Sequence, residues 1–156
     1  MTKSEIAALS DRPLDLAVAE HVFGWRWRKS SKSGKRCLFL PTGWPDWFTT
    51  PANGNEPIVS DIESVLSGIL PHYSTTGDGM LAVIERMRER GWFFRLADAA
   101  KIDGYFCLFY EPDESNGEAE AETALEAVCR AALIAVWSNP AYFRMSGSGS
   151  ESPSSR

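Results

Sequence analysis

Histidine and cysteine are scarce in this 156-residue chain, two of the first and three of the second. Zinc sites draw on these two residue types at close spacing. His21, His72, Cys37, Cys107 and Cys129 offer no two residues so spaced, so no metal centre is expected. The odd cysteine count, with each cysteine set among apolar residues, points to reduced core thiols rather than a disulfide framework. Long apolar runs are missing too: none approaches the roughly 18 residues needed to cross a bilayer. The N-terminus carries Glu5 and Asp11 where a secretion signal needs an apolar stretch. A cytoplasmic protein with no membrane partner is therefore expected. Positive charge is in the minority, 16 Lys and Arg against 21 Asp and Glu, and the net charge of -5 argues against a general nucleic-acid binder. Also absent are Gly-x-Ser-x-Gly, a phosphate loop, a dinucleotide fingerprint, HExxH and Cys-x-x-Cys. No cofactor is expected, and no catalytic motif stands out.

What is present is a core. With 44% hydrophobic residues the chain is long enough for one domain and too short for two ordinary ones. Its clearest unit is residues 80–96. Met80, Val83, Ile84 and Met87 make one helical stripe, Arg88 and Arg90 sit where the helix dipole favours cations, and Gly91 stands where a left-handed residue ends a helix. The period then changes to two, with Trp92, Phe94 and Leu96 on one side and Phe93 and Arg95 on the other.

The same layout occurs earlier. Asp11 before Pro13 reads as a cap, and Leu14, Val18 and Val22 line a helix stopped by Gly24. Trp25 and Trp27 then alternate with Arg26 and Arg28, and Cys37-Leu38-Phe39-Leu40 returns as an apolar strand. Gly24-Trp25-Arg26-Trp27-Arg28 is echoed by Gly91-Trp92-Phe93-Phe94-Arg95, and Cys37-Leu38-Phe39 by Cys107-Leu108-Phe109. Duplication and shared physical demand on two helix-to-hairpin units both account for the echo, and both predict the same layout.

Between the two units, residues 42–56 form an irregular loop rich in Pro, Gly and Asn. Residues 57–70 read as a short helix, capped by Ser60 with Glu63 and lined by Ile62, Val65, Leu66 and Ile69. The acidic stretch 113–121 reads as flexible. Thr123 with Glu126 opens an alanine-rich helix closed at Asn139-Pro140. Residues 1–12 are expected to be a flexible N-terminus, 13–143 a single domain, and 144–156 a disordered Ser/Gly-rich tail. Strands whose tryptophans and arginines alternate are covered on one side and belong at sheet edges. Strands apolar on both faces, such as 105–110, need cover on both. The fold class is therefore α+β, with helices on both faces of a roughly four-stranded, mainly antiparallel sheet.

Four features carry candidate chemistry. The hairpin 26–36 holds Arg26, Arg28, Lys29, Lys32, Lys35 and Arg36 and no acid, a pattern suited to phosphate or equally to a solvated edge protected by its charges. Trp44, Trp47 and Phe48 in the long loop are either partner anchors or pins that order the loop itself. The scattered His and Cys residues make a poor metal set. His72, beside Tyr73, Ser74, Thr75 and Thr76, is the one histidine near hydroxyls, which a polar loop leading into a helix explains as well.

Three segments carry a resemblance: Val18-Ala19-Glu20-His21-Val22-Phe23-Gly24-Trp25, Pro71-His72-Tyr73-Ser74-Thr75 leading into Val83-Ile84-Glu85-Arg86-Met87, and Thr123-Ala124-Leu125-Glu126-Ala127-Val128-Cys129-Arg130-Ala131-Ala132-Leu133. In order and spacing, over about residues 13–137, they resemble the small phage and prophage proteins of the phage ABA-sandwich domain. Departures are Thr76-Gly77 before Asp78, the long 42–56 loop and the Ser-rich tail. The resemblance implies a three-layer α-β-α sandwich and a phage setting in the host cell. It implies no activity and no functional residues. The first reading is a non-enzymatic binding protein acting on a host or phage macromolecule, anti-defence being one form. Its anchors are Trp44, Trp47 and Phe48, and its charged rim is Arg28, Lys32 and Lys35. The alternatives are a small-ligand or nucleic-acid binder using the basic hairpin, and a small hydrolase using His72.

Overall fold

The computed structural model describes residues 1–29, 36–39, 70–112 and 114–139. The chain begins with helix α1 (Lys3–Ala7), where the Thr2 hydroxyl accepts the Glu5 N–H and the Glu5 carboxylate accepts the Thr2 N–H. A five-residue helix cannot stand alone. Ile6, fully buried, ties it to the core, so the N-terminus that composition suggests to be flexible is docked. Helix α2 (Asp11–His21) follows, with Ser10 rather than Asp11 at its cap position and Asp11 in the left-handed region at φ 47°. Leu14, Val18 and Val22 are buried as the periodicity predicts, with Ala17 buried beside them.

Both helix-to-strand corners take the expected form. Gly24 (φ 78°) and Gly91 (φ 90°) adopt left-handed backbone that side chains resist. At the second corner the Trp92 N–H returns to the Met87 carbonyl and the Gly91 N–H to Arg88, satisfying the last carbonyls of helix α3 (Gly77–Glu89). At the first, the Trp25 N–H reaches the Ala19 carbonyl. Both tryptophans are buried directly after their glycines. Helix α3 starts earlier than the stripe from Met80 suggests, because the Thr76 hydroxyl accepts the Gly79 N–H and caps it. Gly79 has no room for a side chain, since a Cβ there would meet the His72 carbonyl at 2.3 Å.

Strands β1 (Arg26–Lys29) and β2 (Arg36–Phe39) pair antiparallel, with Trp27 opposite buried Leu38. Strands β3 (Phe93–Asp98), β4 (Tyr105–Glu111) and β5 (Glu114–Ala121) form an antiparallel sheet in the order β3-β4-β5. The described residues thus form an α+β fold, with β3 at an edge and β4 in the centre, as the alternation argument requires.

Strand β5 corrects the reading of 113–121 as a flexible acidic segment. Gly117, Ala119 and Ala121 alternate with Glu118 and Glu120, and the small residues face helix α4 (Ala124–Ser138), which lies directly over β5 and β4. A Cβ on Gly117 would meet the Ala131 carbonyl oxygen and the Ala135 nitrogen, each at 2.3 Å. Close approach demands small residues, and small residues give the alternation little hydrophobic contrast.

Helix α4, capped by Thr123 as the sequence predicts, is the centre of the core. Ala127 to Cys129 and Ala131 to Val136 are all buried. The sheet covers one side of it, while α1, α2 and α3 pack on it elsewhere. Of the expected layering, the described residues show the sheet and the helices stacked over one of its faces.

Candidate functional site

The side chains of Cys107, Cys129 and Tyr73 are buried. Burial pushes the Cys107 thiol up to about 12. Cys129, inside α4, is raised chiefly by burial and further by the nearby Asp15 carboxylate. A thiol reacts as its thiolate, so neither is poised as a nucleophile. The Tyr73 hydroxyl is raised for the same two reasons; its ring is buried and stacks on Phe23 at 4.7 Å.

Beside it lies a fully buried acid. Asp15 accepts the Ser74 backbone N–H at 2.7 Å and pairs with the Arg12 guanidinium at 2.8 Å. Arg12 also donates to the Leu70 carbonyl at 2.6 Å and the Pro71 carbonyl at 3.2 Å. Both carboxylate oxygens and the guanidinium are spent on holding the 70–76 segment to α2, which is a structural clasp.

His72 is exposed on that segment. Its Nδ1 lies 3.4 Å from the Thr75 hydroxyl, a turn-internal contact. His21 is half-buried and meets Trp137 edge-on at 5.0 Å. Among the described residues no three His, Cys, Asp or Glu side chains converge as a metal set, and no helix is long and apolar enough to cross a membrane.

Of the residues singled out for recognition, Trp44, Trp47, Phe48, Lys32 and Lys35 lie outside the described residues. Arg28 is placed by its backbone in β1, opposite Cys37, in a ladder that also sets Lys29 opposite Arg36.

Among the described residues, one exposed surface is the face of the β3-β4-β5 sheet turned away from α4. Residues directly opposite one another in an antiparallel sheet share a face. One face carries Cys107, Phe109, Gly117 and Ala119 under α4. The other carries three rows: Phe93 with Tyr110, then Arg95-Leu108-Glu118, then Ala97-Phe106-Glu120. Phe93 is 53% exposed and stacks on Tyr110, itself 36% exposed, with ring centroids 5.7 Å apart. Leu108 and Phe106 are half-buried, and Arg95, Glu118 and Glu120 are exposed. Full cover on both sides of β4 is therefore not seen among the described residues. This face thus has an aromatic and aliphatic centre, with a cation along one edge and two acids along the other. The signal for it was legible: Phe93 falls on the same parity as Arg95, an aromatic on the side that the pattern assigns to solvent.

This arrangement of helices over an open antiparallel sheet has known counterparts. The sequence profile of the phage ABA sandwich domain matches residues 16–133. The chain belongs to the phage ABA sandwich domain family. Its fold is similar to that of a phage protein from Bacillus cereus ATCC 14579, known from a 2.0 Å crystal structure, with a TM-score of 0.52, 16% identity, and coverage of 82% of this chain and 93% of the other. No curated protein matches the chain. Within this phage ABA sandwich domain, both Gly-Trp corners and strands β3, β4 and β5 fall inside the matched residues, as does helix α4 as far as Leu133.

Proposed function

We propose that this phage protein is a non-enzymatic binding protein that acts by docking on a protein inside the infected cell, with the open face of the β3-β4-β5 sheet as its contact surface. The observation that carries the reading is the exposed Phe93–Tyr110 stack on a face rimmed by Arg95 and Glu118. Exposed aromatics beside complementary charges are the ordinary anchors of protein recognition. The inward burial of Cys107, Cys129 and Tyr73 supports the same reading, since it leaves those groups to packing. Within this proposal Trp44, Trp47 and Phe48 as apolar anchors, and Arg28, Lys32 and Lys35 as charged contacts, are a second candidate set. Anti-defence action is one form that docking of this kind takes.

The test is retention from lysate of phage-infected cells on the tagged protein, at low and moderate salt, with retained proteins identified by mass spectrometry and nucleic acid by staining. The expected result is a defined protein held at moderate salt and lost with Phe93→Ser combined with Tyr110→Ser. Nucleic acid alone, released by salt and by Lys32→Glu, would transfer the function to the basic hairpin 26–36.

A further inference from the structure

The open sheet face carries its own complement. Its central row runs Arg95 on β3, Leu108 on β4 and Glu118 on β5, so one edge of the face is basic at the level where the other is acidic. The next row, Ala97-Phe106-Glu120, adds a second acid on the same edge. None of Arg95, Glu118 and Glu120 is engaged in an ion pair among the described residues. We propose that the occupant of this face is a second copy of the chain, docked face to face about a two-fold axis parallel to the strands.

The geometry selects that axis. A two-fold parallel to the strands and lying between the sheets keeps each row at its own level and exchanges its ends. β3 of one copy then lies over β5 of the other, and β4 lies over β4. Arg95 meets Glu118 of the second copy, the reciprocal pair forms on the opposite edge, and Leu108 packs on Leu108 between them. Phe93 and Tyr110 extend the apolar seam along the strands. A two-fold perpendicular to the strands sets β3 over β3 and β5 over β5, which brings acid against acid. Like charges brought together at an interface disfavour it. The contact is isologous, as closed dimers require.

Size sets the strength. Three strands about 4.8 Å apart and about 20 Å long offer a footprint of about 300 Å² per copy, below the roughly 800 Å² per partner of a stable complex. The dimer is therefore a weak, transient one. The inference rests on the reading of this face as a docking surface, and names the partner.

The test is sedimentation of the full chain over about 10 to 500 μM, a span that reads dissociation constants from micromolar towards millimolar, with Arg95→Glu and Glu118→Arg, each alone and mixed. All substituted side chains are exposed, and unchanged circular dichroism verifies folding. The wild type is expected to shift from monomer to dimer across the range. Each charge reversal alone weakens dimerisation at least about tenfold. The equimolar mixture recovers it as a heterodimer, because the two reversed residues then face each other with opposite signs and the native pair survives on the other edge. A wild type that stays monomeric throughout overturns the inference, as does a dimer indifferent to both reversals or a mixture that fails to recover. If a monomeric wild type still loses a lysate protein on Phe93→Ser, the docking surface stands and only the second copy falls. If that substitution changes neither association nor retention, both fall.

Discussion

The carboxylate of Asp15 accepts the backbone N–H of Ser74 at 2.7 Å, joining residues 59 apart in sequence. Arg12 completes the junction through Asp15 and the carbonyls of Leu70 and Pro71. One ion pair thereby fastens the segment ahead of α3 to α2, and through both helices to α4.

Removing the acid leaves a half-buried guanidinium and a buried N–H without their partner. Losing one member of a buried pair costs about 3–5 kcal/mol. Asp15→Ala should therefore lower the thermal midpoint by about 6 to 20 °C, at roughly 2–4 °C per kcal/mol for a chain this long. Asp15→Asn, which retains one acceptor for Ser74, should cost less. Thermal denaturation followed by circular dichroism reads both, and an Asp15→Ala midpoint equal to wild type would show that the clasp is ornamental.

Gly117 makes a second fixed contact, beneath the turns of α4 at Ala131 and Ala135. Gly117→Ala places a methyl group against backbone atoms that cannot rotate away. Overpacking of this kind costs about 1–3 kcal/mol, and the expected readout is a lower urea midpoint with an unchanged slope. Gly77, whose added Cβ meets nothing within 4 Å, is the control: Gly77→Ala in the first turn of α3 should be neutral or mildly stabilising. Equal midpoints for the two variants would contradict the close packing of β5 on α4.

His21 predicts a pH dependence. Burial, the N-terminal ammonium and the Arg26 guanidinium hold its pKa below the usual 6.5. The unfolded chain therefore binds a proton that the folded chain refuses, between its depressed pKa and 6.5. The stability associated with neutral His21 is complete above about pH 6.5 and is lost as pH falls through that window. A midpoint that declines from about pH 7 to pH 5 in the wild type, and more shallowly in His21→Gln, is the expected outcome. Parallel declines would assign the acid sensitivity to carboxylates alone.

Local features were legible without coordinates wherever neighbours in sequence supply the physics. Gly24 and Gly91 with the tryptophans after them, the stripe of Val83, Ile84 and Met87, and the Thr123 cap all depend on contacts within a few residues. Resemblance in three short segments indicated the family that the profile match shows. Strand β5 was hidden, because its inward residues are Gly117, Ala119 and Ala121, chosen for closeness to α4 and not for hydrophobicity. Asp15 resembled any helix-surface acid with an arginine three residues before it, since the Ser74 N–H that it accepts comes from 59 residues away.

The sequence by itself determined the α+β class, the two helix-to-strand corners and a buried alanine-rich helix, because hydrophobic period and capping chemistry act over single turns. Only the tertiary structure decided that Arg95, Leu108 and Glu118 share one row and that Phe93 stacks on Tyr110 at the surface. Cross-strand register joins residues far apart in the chain, and no local pattern records it.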